Sequence, residues 1–116
     1  MQKRRGPSHR GQRVNEEIMR ELCEILRTVK DPRVSGSFVS IIAVDASADL
    51  KFAKVYYSVM DADEKEVKKG LYSAIGYIRR ELAIRLNLRA TPELTFVRDT
   101  SIEHGAKISR ILKDLT

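Results

Sequence analysis

The sequence predicts an α+β domain in which helices cover one face of a small three-stranded sheet. Apolar residues recur at spacings of three and four in several segments, which is the pattern of amphipathic helices. Three shorter segments are rich in β-branched and aromatic residues and are typical of strands. The resulting order is helix, strand, strand, long helical segment, strand and short helix. The 116 residues are enough for one domain with its own core.

Residues 1–12 predict a flexible basic arm, and residues 13–116 predict the domain itself. The segment MQKRRGPSHRGQ has two glycines, a proline and almost nothing to bury. The net charge of the chain is +6, and residues 1–13 supply most of it because they contain five basic residues and no acid. Such an arm favours polyanions, and a merely solubilising terminus is the alternative. The basic residues concerned are Lys3, Arg4, Arg5, Arg10 and Arg13.

The first helix is predicted to begin at Arg13 and to end at Asp31-Pro32. Glu16 and Glu17 lie in its first turn, where they complement the helix dipole. Pro32 ends it because proline disfavours helical geometry in the residue before it. Its apolar face consists of Val14, Ile18, Leu22, Ile25, Leu26 and Val29.

Residues 37–46 and 51–60 predict two strands joined by a polar turn, and therefore a hairpin. One face of the second strand has Phe52 and Tyr56 beside Lys54, an arrangement that could stack nucleic-acid bases. Exposed aromatic residues on strands are also common, so this face has a purely structural alternative. The predicted core face of the second strand consists of Ala53, Val55, Tyr57 and Val59.

The long helical segment between residues 61 and 90 contains a glycine, Gly76, in its middle. Glycine inside a helix costs roughly 0.5–1 kcal/mol relative to alanine. The segment is therefore either a pair of helices that meet near this glycine or one straight helix, in which the glycine permits close packing against a neighbour. The apolar stripe consists of Val67, Leu71, Ile75, Ile78, Leu82 and Leu86.

Thr91-Pro92 ends this segment, and residues 93–97 predict the third strand. The tail that follows has a weaker helical pattern and predicts a short C-terminal helix. Its apolar residues are Ile102, Ile108, Ile111, Leu112 and Leu115.

The sequence contains no pattern that specifies catalysis, a cofactor or a metal. His9 and His104 have no neighbouring cysteine or suitably spaced carboxylate. The lone Cys23 is interpreted as a buried small apolar residue in a reducing compartment. No apolar run approaches the roughly 18 residues that cross a membrane. We therefore expect a cytoplasmic non-enzyme without cofactor, metal or membrane partner.

A second basic cluster lies at the end of the long helical segment, where eleven residues contain one acid, Glu81. Arginine suits forked contacts with phosphate, so the cluster and the arm together favour nucleic acid. A solvated helix face is the alternative. The arginines of this cluster are Arg79, Arg80, Arg85 and Arg89.

The order of elements resembles the type II KH domain, in which two central helices meet at a GxxG loop that grips a nucleic-acid backbone. This chain has Ala74-Ile75-Gly76 at that place, so the resemblance implies a kink there, with one helix on either side. Together with DPRV at residues 31–34 and TPELTFVRDTSIEHG at residues 91–105, that segment is similar to the bacterial ribosome-binding factor A family. The similarity covers nearly the whole chain from Gln12 onward.

The resemblance implies a monomeric, non-enzymatic assembly factor that binds the free small ribosomal subunit and its ribosomal RNA. It also implies a part in late maturation, in processing of that RNA near its 5′ end, and in cold adaptation. The second basic cluster would hold phosphates, and the arm would add less specific attraction. A generic single-stranded RNA-binding protein using Phe52 and Tyr56, an RNA-processing enzyme and a protein-interaction module are the alternatives.

Overall fold

The computed structural model describes residues 9–99, which form four helices and three strands. The predicted α+β class and order of elements are confirmed, while the predicted C-terminal helix lies outside the described residues. Within this part of the chain, no helix is both long and apolar enough to cross a membrane. The elements are α1 His9–Thr28, α2 Pro32–Ser35, β1 Phe38–Ala46, β2 Phe52–Met60, α3 Glu64–Ser73, α4 Ile75–Leu86 and β3 Glu93–Arg98.

Helix α1 begins at His9, four residues before the predicted start at Arg13. Once a helix has nucleated, each further residue gains a hydrogen bond, so the helix can extend backwards beyond its amphipathic part. Residues 9–12 of the predicted arm therefore belong to α1, and Arg13 lies exposed on it. The rest of the arm lies outside the described residues.

The turn predicted after α1 contains a four-residue helix, α2, that the sequence pattern did not indicate. The side chain of Asp31 caps this helix by accepting a hydrogen bond from the backbone N–H of Arg33 at 2.9 Å. Pro32 occupies the first turn, where its missing N–H costs nothing. The DPRV segment thus folds into a compact, internally capped turn.

The sheet has the strand order β1-β2-β3, with β1 antiparallel and β3 parallel to β2. A bulge between Ile41 and Ala43 shifts the alternation of β1 by one residue. Ile41 and Val44 are consequently both buried on the helical face. The predicted core face of β2 is confirmed, because Ala53, Val55, Tyr57 and Val59 are all buried.

Helix α1 packs against β1 and α4, and α4 also contacts β3, so the helices share one face of the sheet. The predicted apolar stripes supply this core, to which Ile18, Leu22, Leu71 and Leu82 contribute fully buried side chains. The opposite face of the sheet has none of the described helices against it. That division leaves two separate surfaces, one on the helices and one on the open sheet.

Candidate nucleic-acid interface

The joint between α3 and α4 is a local departure from helical geometry at Ala74, where φ is −94° and ψ is 5°. Hydrogen bonds continue across it, since Ala74 N–H donates to Gly70 O at 3.0 Å and Ile78 N–H donates to Ala74 O at 2.9 Å. The helix–kink–helix order of the predicted fold is therefore confirmed. The backbone departs from helical values at Ala74, before Ile75 and Gly76, and not at the glycine.

Gly76 is exposed, and a Cβ built on it would meet no atom within 4 Å. None of the described glycines has a positive φ, so the backbone conformation does not demand glycine here either. The alternative that Gly76 permits close packing against a neighbour is wrong. By contrast, a Cβ on Gly70 would lie 2.9 Å from Val34 Cγ2, because α2 sits directly on α3 there.

Arg79 is bound to the backbone of the segment that leads into β3. Its Nε donates to Pro92 O and its Nη2 donates to Thr91 O, both at 3.0 Å. These bonds satisfy carbonyl groups before the strand begins and hold α4 against the third strand. Arg79 thus has a structural task, and its predicted phosphate contact stays a prediction.

Arg85 links α4 to α1. Its Nη1 lies 3.4 Å from Glu21 Oε1, its Nε lies 3.7 Å from Glu81 Oε1, and its side chain is 31% exposed. Two carboxylates therefore offset its charge before any phosphate approaches. Its role in RNA binding also stays a prediction, with a weaker electrostatic basis than the sequence suggested.

Arg80 and Arg89 are exposed and make no hydrogen bond or ion pair with any residue between 9 and 99. Arg80 lies one turn after Gly76 on the same face of α4, and the exposed Ile84 continues that face. These two arginines can contact phosphate without breaking an internal bond. We call the exposed face formed by Gly76, Arg80 and Ile84 the outer face of α4.

A groove of about 310 Å³ runs between the end of α1 and the joint. Tyr77 OH and Thr28 Oγ1 share a hydrogen bond within it, and Lys30 stands exposed at its side. The sequence analysis did not select Tyr77 or Lys30. The available signals were that Tyr77 lies off the apolar stripe and that Lys30 directly precedes DPRV. The groove is lined by Thr28, Val29, Lys30, Asp31, Ser73, Ala74 and Tyr77.

The one carboxylate that lines this groove among the described residues, Asp31, is held by a forked contact with Arg33. Arg33 Nε donates to Asp31 Oδ1 at 3.0 Å and Arg33 Nη2 donates to Oδ2 at 2.7 Å. These side-chain bonds, followed by the backbone N–H of Arg33, lower the pKa of Asp31 to about 2. Because Arg33 balances this charge, Asp31 opposes a phosphate in the groove less than a free carboxylate would.

The alternative stacking surface lies on the open face of the sheet. Phe52 is 57% exposed there, Lys54 is exposed and Tyr56 is half-buried. This face belongs to the sheet and the joint belongs to the helical layer. Substitutions on one surface can therefore distinguish base stacking on the sheet from phosphate binding near the joint.

The described residues contain no group of three or more His, Cys, Asp or Glu side chains placed to hold a metal ion. Cys23 is partly buried, less than expected, and lines a second groove of about 580 Å³ between α1, α2 and β1. The side chains of His9 and Arg10, together with Lys3, Arg4, Arg5 and His104, lie outside the described part.

Comparison with known proteins gives consistent matches. Residues 10–112 match the sequence profile of the family described as Ribosome-binding factor A. A ribosome-binding factor A of Caldicellulosiruptor bescii is 49% identical over 110 residues, which cover 91% of this chain and 83% of that protein. The crystal structure of ribosome-binding factor A from Thermus thermophilus is 25% identical with a TM-score of 0.69, covering 76% of this chain and 94% of that chain.

A homology model of the Thermus thermophilus ribosome binding factor A, fitted into a cryo-electron microscopy map of its 30S complex, also matches. It is 25% identical with a TM-score of 0.65, and the match covers 78% of this chain and 96% of that chain.

Proposed function

This chain belongs to the ribosome-binding factor A family, and from that membership we propose that it is an assembly factor that binds the free small ribosomal subunit. The match over residues 10–112 carries the proposal. The Thermus thermophilus relative fitted into a map of its 30S complex supports the choice of subunit. In this proposal the chain acts as a cytoplasmic monomer late in maturation, assists processing of ribosomal RNA near its 5′ end and contributes to cold adaptation.

The proposed mechanism is a bias on RNA conformation. A binding protein shifts a folding equilibrium only by its differential affinity for the two states, and about 1.4 kcal/mol of difference changes the ratio tenfold. This mode of action requires contacts with RNA and no catalytic group. The described residues offer exposed cations for such contacts and assemble no catalytic group. No cofactor is required for it.

We assign the phosphate contacts first to Arg80 and Arg89, because both guanidinium groups are exposed and uncommitted among the described residues. Gly76 lets RNA approach the first turn of α4 closely, since it has no side chain and nothing lies within 4 Å of its Cβ position. Lys30 lies across the joint groove and adds a further cation. Arg79 and Arg85 then act mainly by holding α4 in place.

The decisive test compares Arg80→Ala with Arg27→Ala in subunit binding measured across salt concentration. Arg27 is a suitable control because its side chain is 76% exposed on α1, pairs with Glu24 and does not line the joint groove. Loss of one phosphate contact should lower affinity and flatten the salt slope by about 0.7–0.9 in Arg80→Ala. Arg27→Ala should leave both unchanged. Equal behaviour of the two variants would remove Arg80 from the interface.

A generic single-stranded RNA binder remains the second candidate because Phe52 and Lys54 are exposed on one strand. In that case Tyr56→Ala should lose about 1–3 kcal/mol of affinity for single-stranded RNA, with one base unstacked. Sedimentation of cell extract gives an independent answer. The assembly factor should co-migrate with free small subunits and be absent from full ribosomes, whereas the generic binder should spread over all RNA-containing fractions.

A further inference from the structure

The open face of the sheet carries two large apolar side chains side by side at one end. Phe38 is 74% exposed and Met60 is 59% exposed, and the two residues are direct cross-strand partners. Isolated exposed apolar residues are ordinary on protein surfaces, but an adjacent pair on a strand ladder forms a patch. We call the end of this face formed by Phe38, Ser40, Ser58 and Met60 the near half; Ser58 is buried and the other three residues are exposed.

The chain leaves the described structure beside this patch. β3 runs parallel to β2, so both strands end on the same side of the sheet. Asp99 N–H extends the pairing by donating to Tyr57 O at 2.7 Å. The residues that follow Asp99 therefore start next to the near half.

The segment outside the structure has the apolar pattern that such a patch needs. Its residues Ile108, Ile111, Leu112 and Leu115 recur at spacings of three, one and three, which places them on one helical stripe. A helix of this length is marginal alone in water and gains stability chiefly by burying that stripe. Because it is tethered, its effective concentration at the sheet is in the millimolar range, above that of a second copy.

We propose that residues 100–116 of this chain dock their apolar stripe on the near half of the open sheet face. A helix over residues 106–115 would be about 15 Å long. Strand β2 spans about 26 Å from Met60 to Phe52. The docked segment therefore covers the sheet from Met60 to about Tyr56 and leaves Phe52 open.

The charges on the face favour this occupant over RNA. The four residues of the near half are uncharged, and the register places one charged residue beside them on this face, Asp99, which follows the edge strand β3 and stands next to Ser58. An apolar segment that lies over Phe38, Ser40 and Met60 can therefore cover the near half without burying an unpaired charge. The other charged residues of the face, Asp45, Lys54 and Glu93, lie toward the other end. A phosphate backbone would find no cation in the near half. The joint on the helical layer remains accessible in either arrangement.

The test measures the rate of thiol labelling on the sheet face in a Cys23→Ser background. Ser40→Cys reports on the near half and leaves the apolar pair intact. Thr95→Cys is the matched exposed position toward the Phe52 end of the same face, beside Lys54. Each is compared in the full chain and in a chain that ends at Thr100. If the docked state dominates and the open state is at most about 10% populated, labelling of Ser40→Cys should be at least about tenfold slower in the full chain. Thr95→Cys should react at the same rate in both.

A point variant in the full chain tests the same docking without shortening the chain, in case the shortened chain does not fold. Ile111→Asp in the full chain should raise the labelling rate of Ser40→Cys to that of the shortened chain, because it places a charge in the stripe. Arg110→Asp, on the opposite side of the same helical pattern, should not. Circular dichroism confirms that each variant is folded. Equal rates at Ser40→Cys in the full and shortened chains would overturn the proposal, as would protection that rises with protein concentration or that requires added RNA.

Discussion

Replacing Gly76 with alanine should stabilise the protein, although glycine at this position was the most unusual feature of the helical pattern. The new Cβ meets nothing within 4 Å, and the backbone φ is not in the left-handed region. Alanine at a compatible position typically adds about 0.4–1 kcal/mol by restricting the unfolded chain. Since α4 begins at Ile75, Gly76 lies in the first turn. We expect a gain of about 0.5 kcal/mol, which raises the midpoint of thermal unfolding by roughly 2–4 °C.

Gly70→Ala is the matched control, since it makes the same chemical change one helix earlier. There the added Cβ would lie 2.9 Å from Val34 Cγ2 and 3.0 Å from Arg33 Cβ. Overpacking of this kind costs about 1–3 kcal/mol. Urea unfolding followed by circular dichroism should give midpoints that move in opposite directions with similar m-values. A destabilising Gly76→Ala, or equal shifts in both variants, would refute the reasoning.

Subunit binding of Gly76→Ala then distinguishes folding from function. If RNA approaches the outer face of α4 closely, the variant should be more stable and should bind more weakly. That combination cannot arise from a damaged fold. Unchanged binding would remove Gly76 from the interface and leave the stability prediction intact.

Three further predictions concern contacts that hold the fold. Tyr57→Phe should cost about 1 kcal/mol in urea unfolding, because the Tyr57 hydroxyl donates to Glu64 Oε1 at 2.9 Å, and Glu64→Gln, which keeps an acceptor, should cost less. Arg79→Ala should cost roughly 1–2 kcal/mol in the same assay through the loss of its two bonds to backbone carbonyls; an unchanged midpoint would contradict its structural task. Carbon-detected NMR should show Asp31 titrating with a pKa of about 2, and Arg33→Ala should return that pKa toward 3.8. Because the folded pKa of Asp31 lies below the unfolded one, the stabilisation from this carboxylate is present above about pH 4 and disappears as the pH falls toward 2. An Asp31 titration with its midpoint near pH 3.8 in the unmodified protein would contradict this prediction.

The helices, the strands and the core face of β2 were predictable because their apolar periodicity is a property of consecutive residues. The extension of α1 to His9 and the short helix α2 were not, since neither buries a periodic stripe. The joint at Ala74 was predicted from Gly76 and from the resemblance of the order of elements to a KH domain. The cause differs from that expectation, because a Cβ added at Gly76 would meet nothing within 4 Å and the departure in φ and ψ occurs at Ala74.

The candidate site was predicted as a set of four arginines, and the structure separates them. Arg79 and Arg85 looked equivalent to Arg80 and Arg89 in the sequence because all four have the same chemistry at similar spacing. The distinction depends on partners that are distant in the chain: Arg79 bonds to Thr91 and Pro92, 12 and 13 residues away. A sequence pattern does not contain those distances.

By itself the sequence determined the α+β class, the buried faces of α1, β2 and the α3–α4 segment, the surplus of positive charge and the family resemblance, all of which follow from residue type and local spacing. Only the tertiary structure decided the parallel pairing of β3 with β2, which arginines are committed, and that Gly76 has no packing role. The physical reason is that a hydrogen bond, an ion pair or a steric contact depends on the separation of atoms in space. That separation exists only once the chain has folded, as when Arg85 meets Glu21 across 64 residues of sequence.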